Sequence, residues 1–473
     1  MGPFVVGFDT IAHYVPTTLL WVNGNVNLSS FIGTAPLLYI LTSSLVLAGG
    51  SVTLVFKVLP PVLLGFLGLS IYCYARRSLG WSPKKSMVPT LLGTLYFVAL
   101  RVSWDAWREE IAVIFLFVAL MFLASQAGKQ DKFSWKRYAV FSLASVAVVL
   151  SNQVVAVLML GIVLFTVVHK IIRANRLEAA RLALFSLPAM LLFLTVFLLT
   201  PSVPEYRVIF GFPTTNDGWL TLFGYASYPA MLANEAGFIL YCFLPILPLA
   251  LLSVRRFSNF QMRTWIVLIL VAAFIPIVSP SNMRLLTLLT YPLAFYVAEA
   301  LSKLKTINWS RFKAPLLRIG MAYLVVVTAV LSLGFMALPP QQPLPYFSSP
   351  INGYIYQIPS SMLQNTVPLT DCQDVENAFQ WLKGNMTTDS VLLTHRAFYG
   401  WALSTLNSNQ VILYEYDDPA NAATTAVQGG HEQIYLVWWI NGQGWYGQPT
   451  VASSFHEVYE SGSIAVYSYQ NSD

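Results

Sequence analysis

Val154-Val-Ala-Val-Leu-Met-Leu-Gly-Ile-Val-Leu-Phe-Thr-Val-Val168 is followed by a loop carrying Lys170, Arg173, Arg176 and Arg181, and then by a second apolar run from Ala183 to Thr200. Neither run holds a charged residue, and with a few flanking residues each is long enough to cross a hydrocarbon core of roughly 30 Å as a helix. Two such runs joined by a basic loop read as a membrane hairpin whose loop stays on the cytoplasmic side, where Lys and Arg accumulate. The alternation extends in both directions, through Leu54 to Ala75, Met87 to Leu100, Ile111 to Ala124, Tyr138 to Leu150, Gly237 to Val254, Thr264 to Val278, Leu285 to Ala300 and Ile319 to Leu338. Ten spans are expected.

The other basic clusters fall in alternate loops: Arg76, Arg77, Lys84 and Lys85; Lys129, Lys132, Lys136 and Arg137; Arg255, Arg256 and Arg263; and Lys303, Lys305, Arg311, Lys313 and Arg318. With the first loop they hold 20 of the 27 Lys and Arg residues. If each run crosses once, all of them share one side. The N-terminal segment, the loops Arg101 to Glu110, Ser151 to Gln153, Pro201 to Ala236 and Ser279 to Arg284, and everything after Pro339 are then extracytoplasmic. A chain beginning outside implies a further helix upstream of Met1, unless Phe31 to Leu47 crosses and brings the N-terminus inside.

Composition agrees with this reading. Of 473 residues, 56% are hydrophobic and 10% charged, against roughly 25% charged in soluble proteins. A soluble enzyme, a disordered chain and a nucleic-acid-binding domain are excluded. Up to Gln342 the chain has 25 Lys and Arg against 10 Asp and Glu, and after it 2 against 11, so two environments are implied. Cys73, Cys242 and Cys372 form no disulfide pattern, and the start of the chain has neither a signal-peptide n-region nor a myristoylation motif.

Beyond a Pro/Ser-rich linker the pattern becomes that of a small water-soluble α/β domain. Asp371, Asp374 and Glu376 open a helix with Val375, Phe379 and Leu382 on one face, ending at Gly384. Val391 to Thr394, Val411 to Tyr414, Ile434 to Trp439 and Ile464 to Tyr467 read as strands. Thr394-His-Arg-Ala-Phe-Tyr-Gly-Trp401 is expected as a ligand-facing loop, with His395 and the Tyr399 hydroxyl as acceptor contacts. The aromatics of Tyr435 to Gly447 suit a domain core better than a sugar platform.

The candidate chemistry lies in the outer loops. Arg101-Val-Ser-Trp-Asp-Ala-Trp-Arg-Glu-Glu110 sets five charges between two apolar runs, where they must face an interface or a wet cavity. They pair with one another or serve catalysis, Glu109 and Glu110 as supporting acids. Asp9, in Gly7-Phe-Asp-Thr-Ile-Ala-His-Tyr14, is either a helix N-cap or a carboxylate that takes a proton from a hydroxyl. Its neighbours His13 and Tyr14, and Asn152 in the Ser151 to Gln153 loop, are further candidate contacts. Arg284, Arg108 and Arg101 can snorkel to headgroups or bind a phosphate. The five His show no metal-ligand spacing, and no Walker A, GxSxG or CxxC motif occurs.

Taken in order, Gly7 to Tyr14, Pro36-Leu-Leu-Tyr39, Lys57 to Gly65, Ala75-Arg-Arg-Ser-Leu-Gly80, Ser103 to Glu110, Met283-Arg284 and the tail with Trp438-Trp439 resemble a prokaryotic, archaeal-type membrane glycosyltransferase of the GT-C superfamily. The resemblance covers nearly the whole chain. It implies a polyprenyl- or dolichyl-phosphate-linked sugar donor, Asp9 as the general base, and Arg284 and Arg108 beside the lipid phosphate, with Arg101 in the same role. It also implies that Phe31 to Leu47 lies at the outer surface. The helix that precedes the first loop in the family is absent here, and so is a second acidic motif of the DxD kind. Trp438-Trp-Ile-Asn-Gly442 matches the WWDYG motif of oligosaccharyltransferases at three of five positions, which favours transfer of a single sugar over transfer of an oligosaccharide.

The fold class expected is therefore an α-helical polytopic membrane bundle followed by a small α/β extracytoplasmic domain. Residues 1–53 form the first outer loop with an interfacial helix, 54–338 the bundle, 339–368 a linker and 369–473 the outer domain. The expected function is transfer of a sugar from the lipid-phosphate donor to a glycan, lipid or protein acceptor at the outer face of the cell membrane. No cofactor is implied and a divalent-metal requirement is left open; the other partners are membrane lipids, not nucleic acid. The rival is a non-catalytic membrane protein or transporter whose outer domain binds glycans or partners. A transporter calls for charged groups deep in its spans, whereas these lie mostly at loop ends.

Overall fold

Tyrosine hydroxyls and prolines decide where the apolar runs stop being helix. The computed structural model describes residues 4–5, 7–26, 31, 35–123, 134–199, 228–274, 282–304, 313–337, 366–414, 418–441, 451 and 453–470. A π-helical turn, Thr10–Tyr14, leads into α1 (Val15–Val22), followed by α2 (Leu37–Leu47), α3 (Val52–Arg77), α4 (Pro83–Leu95), α5 (Phe97–Asp105) and α6 (Trp107–Leu123). Then come α7 (Trp135–Ser151), α8 (Gln153–Ile172), α9 (Arg176–Leu199), α10 (Tyr228–Phe243), α11 (Leu247–Ser253), α12 (Phe260–Phe274), α13 (Asn282–Thr287), α14 (Thr290–Leu304) and α15 (Lys313–Ala337). The C-terminal part holds α16 (Cys372–Asn385), β1 (Ser390–Thr394), α17 (Arg396–Thr405), β2 (Val411–Leu413), α18 (Pro419–Gln428), β3 (Gln433–Trp439), β4 (Phe455–Ser461) and β5 (Ile464–Tyr469).

Among the described residues, four stretches are long and apolar enough to cross a membrane: Val52–Arg77, Gln153–Ile172, Arg176–Val196 and Leu285–Lys303. Apart from α15, the other expected spans fall on shorter helices, and among the described residues three of the ten runs are interrupted. Met87 to Leu100 breaks at Tyr96, whose backbone is extended (φ −67°, ψ 138°), and Gly237 to Val254 breaks after Phe243. The two breaks satisfy each other. A continuous helix would bond the Cys242 carbonyl to the N–H of Ile246; that N–H instead bonds Phe243 O, and Cys242 O accepts the Tyr96 hydroxyl at 2.5 Å. Pro245 O accepts the Tyr323 hydroxyl at 2.8 Å, so the break leaves neither of these two carbonyls unpaired. The third interruption, at Leu288–Leu289, follows from Pro292, which has no N–H for the Leu288 carbonyl and would clash with it.

The chain divides into two compact units, one of Met1–Val26, Tyr39–Leu59 and Gln364–Asp473, the other of Asn27–Leu38 and Pro60–Leu363. In the second unit the basic helix ends meet. Lys85 bonds Glu299 at 2.5 Å and Lys303 joins the same carboxylate at 3.1 Å. The Tyr74 hydroxyl donates to Gln261 Oε1, and the Gln261 amide lies 3.4 Å from Leu120 O. Arg137 Nε donates to Phe122 O, and His169 stacks on Phe260 at 4.5 Å. These contacts join the ends of α3, α6, α8 and α14 to the starts of α4, α7 and α12.

In the first unit the sheet order is β2-β1-β3-β5-β4, with β1 parallel to β2 and β3, and β5 antiparallel to β3 and β4. Leu392, Tyr435, Val437 and Val466 point to the face covered by α16 and α17, whereas Val391, Leu393, Ile434 and Leu436 meet α18 on the other. Val375, Phe379 and Leu382 of α16 are fully buried, as their spacing predicts, and the helix runs one residue past Gly384. Two elements depart from expectation. Thr394 to Trp401, expected as a ligand-facing loop, passes at Arg396 into helix α17, because its buried Ala397, Phe398, Trp401 and Ala402 recur at helical spacing. The edge strand β4 lacks an apolar run because only Phe455 in it is buried. The linker residues 338–365, the outer loop 201–227 and the aromatic segment 442–447 lie outside the described residues.

Candidate active site

Gly7 has φ of +115°, a conformation open to glycine, and from it the chain enters the helical segment that holds Asp9. Asp9 has helical backbone angles, and its side chain makes no capping bond; it is 6% exposed. It directly precedes the π-helical turn, a geometry frequent at functional sites. Ile11 and Tyr14 are buried, His13 is half-buried, and the Tyr14 ring meets Tyr39 edge-on at 6.3 Å. Ile11 belongs to the apolar core formed by α16, α17 and the sheet. A Cβ on Gly400 would lie 2.0 Å from the Ile11 carbonyl oxygen, so glycine at 400 is what lets α17 approach the turn that carries Asp9.

On α17, His395 is the N-cap, its Nδ1 accepting the Ala397 N–H at 3.3 Å. Tyr399 is half-buried, and burial pushes its hydroxyl pKa up. Asp9, His13, Tyr14, His395 and Tyr399 therefore belong to one unit. The same unit has a cleft of about 740 Å³ walled by Asn23, Thr387, Asn407, Ser408 and Gln410 with one charge, Lys383; none of the sequence-predicted site residues lines it.

Arg101, Arg108, Glu109, Glu110, Asn152 and Arg284 belong to the other unit. Arg101 lies on α5 and Arg284 on α13; their side chains are outside the described set. Ala106 (φ −108°, ψ 52°) separates α5 from α6, and the Trp107 indole donates to Ser103 O across the break at 3.1 Å. Arg108 is half-buried, Glu109 is 7% exposed and Glu110 is 0% exposed. Neither carboxylate oxygen of Glu110 has a hydrogen-bond partner among the described residues. Both acids lie within electrostatic reach of the buried Tyr291 hydroxyl, a neighbour that sequence reasoning missed because a Tyr in an apolar run carries no signal. Asn152 caps α8, its Oδ1 accepting the Val155 N–H at 3.0 Å. Among the described residues, no group of three or more His, Cys, Asp or Glu is placed to hold a metal ion.

This architecture, a polytopic helical bundle with a small mixed-sheet domain, is shared with solved structures of low sequence identity. ArnT from Cupriavidus metallidurans bound to undecaprenyl phosphate superposes with a TM-score of 0.58 at 14% identity, over 99% of this chain and 95% of that one. The apo form of the same protein gives 0.55 at 14%, over 98% and 94%. The archaeal oligosaccharyltransferase AglB from Archaeoglobus fulgidus, in complex with an inhibitory peptide and a dolichol-phosphate, gives 0.50 at 13%, over 92% of this chain and 66% of that one. No family model matches the chain, and neither does the sequence of any curated protein. The likeness to these structures is one of fold.

Proposed function

We propose that this chain is an integral membrane glycosyltransferase that moves a sugar from a polyprenyl- or dolichyl-phosphate donor to an acceptor on the outer face of the cell membrane. The observation that carries the reading is the likeness, over nearly the full length of both chains, to a structure that binds undecaprenyl phosphate. In the reaction, the acceptor oxygen bonds to the anomeric carbon while the bond from that carbon to phosphate oxygen breaks, and the lipid phosphate leaves with the electron pair. Asp9 takes the acceptor proton, and Arg284, Arg108 and Arg101 hold the phosphate charge. Burial of Asp9 without a capping bond supports the catalytic reading over the helix-cap reading.

The purified chain, given a synthetic polyprenyl-phosphate sugar and membrane extract as the source of acceptor, is expected to transfer radiolabelled sugar. A screen of donor sugars and lipid lengths that yields no transfer, together with no binding of polyprenyl phosphate, would reject the proposal in favour of a non-catalytic membrane protein.

A further inference from the structure

The parallel part of the outer sheet is wound on both faces. The chain leaves β1 through α17 on one face to reach the edge strand β2, then returns through α18 on the other face to β3. In sheets of this kind ligands sit outside the carboxyl ends of the strands, where connections depart to opposite faces. Three side chains meet at those ends: His395 after β1, Tyr414 after β2 and Trp438 near the end of β3. The His395 ring lies 6.1 Å from the Tyr414 ring and 5.4 Å, edge-on, from Trp438. The Tyr414 N–H donates to Thr394 O at 3.1 Å, which fixes the ends of β1 and β2 together.

All three side chains are buried, with exposures of 8% for His395, 4% for Tyr414 and 2% for Trp438. Yet the Tyr414 hydroxyl and the Trp438 indole nitrogen have no hydrogen-bond partner among the described residues. The adjacent Trp439 shows the ordinary arrangement, its indole donating to Asp371 at 3.0 Å. Burial and the charge of Asp418 raise the Tyr414 pKa, so this hydroxyl is a protonated donor at neutral pH; the Asp418 side chain itself caps α18 through the Ala420 N–H. The His395 ring, fixed as the N-cap of α17 by the Ala397 N–H, stands between Tyr414 and Trp438. The group also sits at the N-terminus of α17, with Arg396 as the first helical residue, where the backbone favours negative charge.

We propose that the carboxyl ends of β1, β2 and β3 form an oxyanion-binding site of the C-terminal domain, in which Tyr414 Oη and Trp438 Nε1 donate to a carboxylate or phosphate group beside the His395 ring. The site stands whether or not the chain transfers a sugar. Isothermal titration of the full-length protein in detergent, at constant ionic strength, tests it with sodium phosphate and with sodium glucuronate, chloride serving as control. Saturable binding of either anion is expected; preference for phosphate identifies a phosphate group as the ligand, and preference for glucuronate an acidic sugar. Tyr414→Phe and Trp438→Phe should each weaken that binding by about tenfold. The thermal midpoint of ligand-free Tyr414→Phe should be unchanged or higher, since the variant removes only an unsatisfied buried hydroxyl. Absence of saturable binding to both anions, unaltered affinity in both variants, or a lowered ligand-free midpoint in Tyr414→Phe would overturn the site.

Discussion

Each unit of the molecule buries a carboxylate that the sequence marks as a candidate for chemistry, and the two are held differently. Asp9 sits on a helical segment clamped under Gly400, in a unit where other acids have plain structural uses. Asp371 accepts from Trp439, and Asp374 accepts the Ser463 N–H at the turn between β4 and β5. Glu110 sits in a bundle where several buried hydroxyls bond to the backbone: Ser151 and Thr166 return theirs to carbonyls one turn back, and Tyr96 fills a helix break. A buried carboxylate costs free energy unless neighbouring groups satisfy it. In the unit of Asp9, Asp371 and Asp374 bond to neighbouring donors as structural acids do, whereas Asp9, directly before the π-helical turn, makes no capping bond. In the bundle, the unpartnered oxygens of Glu110 make it the first alternative.

The comparison breaks most sharply on Asp9→Asn. General-base assistance is worth typically 10² to 10⁴ in rate, so turnover should fall by about that factor while donor affinity stays nearly constant. The substitution preserves shape, and no capping bond is lost with it. Near-normal turnover would transfer the role to Glu110, with Glu109 next.

Gly400→Ala tests the clamp itself. Its methyl group would meet the Ile11 carbonyl at 2.0 Å, and a backbone oxygen has no rotamer by which to move aside. Overpacking of this kind costs about 1 to 3 kcal/mol or more. Thermal unfolding and limited proteolysis should show a loosened N-terminal segment, and an unchanged melting profile would mean that α17 is not what holds Asp9.

In the bundle, Arg284→Ala and Arg108→Ala should each weaken donor binding by one to two orders of magnitude, since charge-assisted contacts are worth roughly 1.5 to 3 kcal/mol. Titration with a fluorescent polyprenyl phosphate measures this. Donor affinity equal to that of the parent in both variants would take the two arginines out of the site.

What the sequence discloses and what it hides follows the range of the interactions. Hydropathy and basic loops reveal the bundle, because partition into lipid is a property of each run taken alone. The breaks at Tyr96 and after Phe243 are invisible to it, since each depends on a hydroxyl and a carbonyl 146 residues apart. For the same reason the sequence assigns residues 1–53 to a loop of their own, whereas Met1–Val26 form one compact unit with the C-terminal domain: only the space left by Gly400 reveals the pairing. Strands β1 and β3 are legible because they are buried on both faces and read as continuous apolar runs. Helix α18, rich in Ala and Thr, and the polar edge strand β4 are not. Of the candidate site, the residue types in the outer loops are legible. The Tyr291 hydroxyl near Glu109 and Glu110 is not, because nothing local distinguishes it from a core tyrosine.

Asn152 offers the smallest effect and the finest division between a structural and a chemical polar group. Its Oδ1 accepts the Val155 N–H, one of the donors that the first turn of a helix leaves without a partner. Ser, Asp and Asn are close in rank as N-caps, and replacement by Ala costs typically about 1 kcal/mol. Asn152→Ala should therefore lower the thermal midpoint by a few degrees, and Asn152→Ser should restore it. If capping is all that Asn152 does, neither variant changes the rate of sugar transfer measured well below the melting range. A rate that falls in both variants while Asn152→Ser melts like the parent would mean that the amide nitrogen touches the acceptor, and would return Asn152 to the active site beside Glu109 and Glu110.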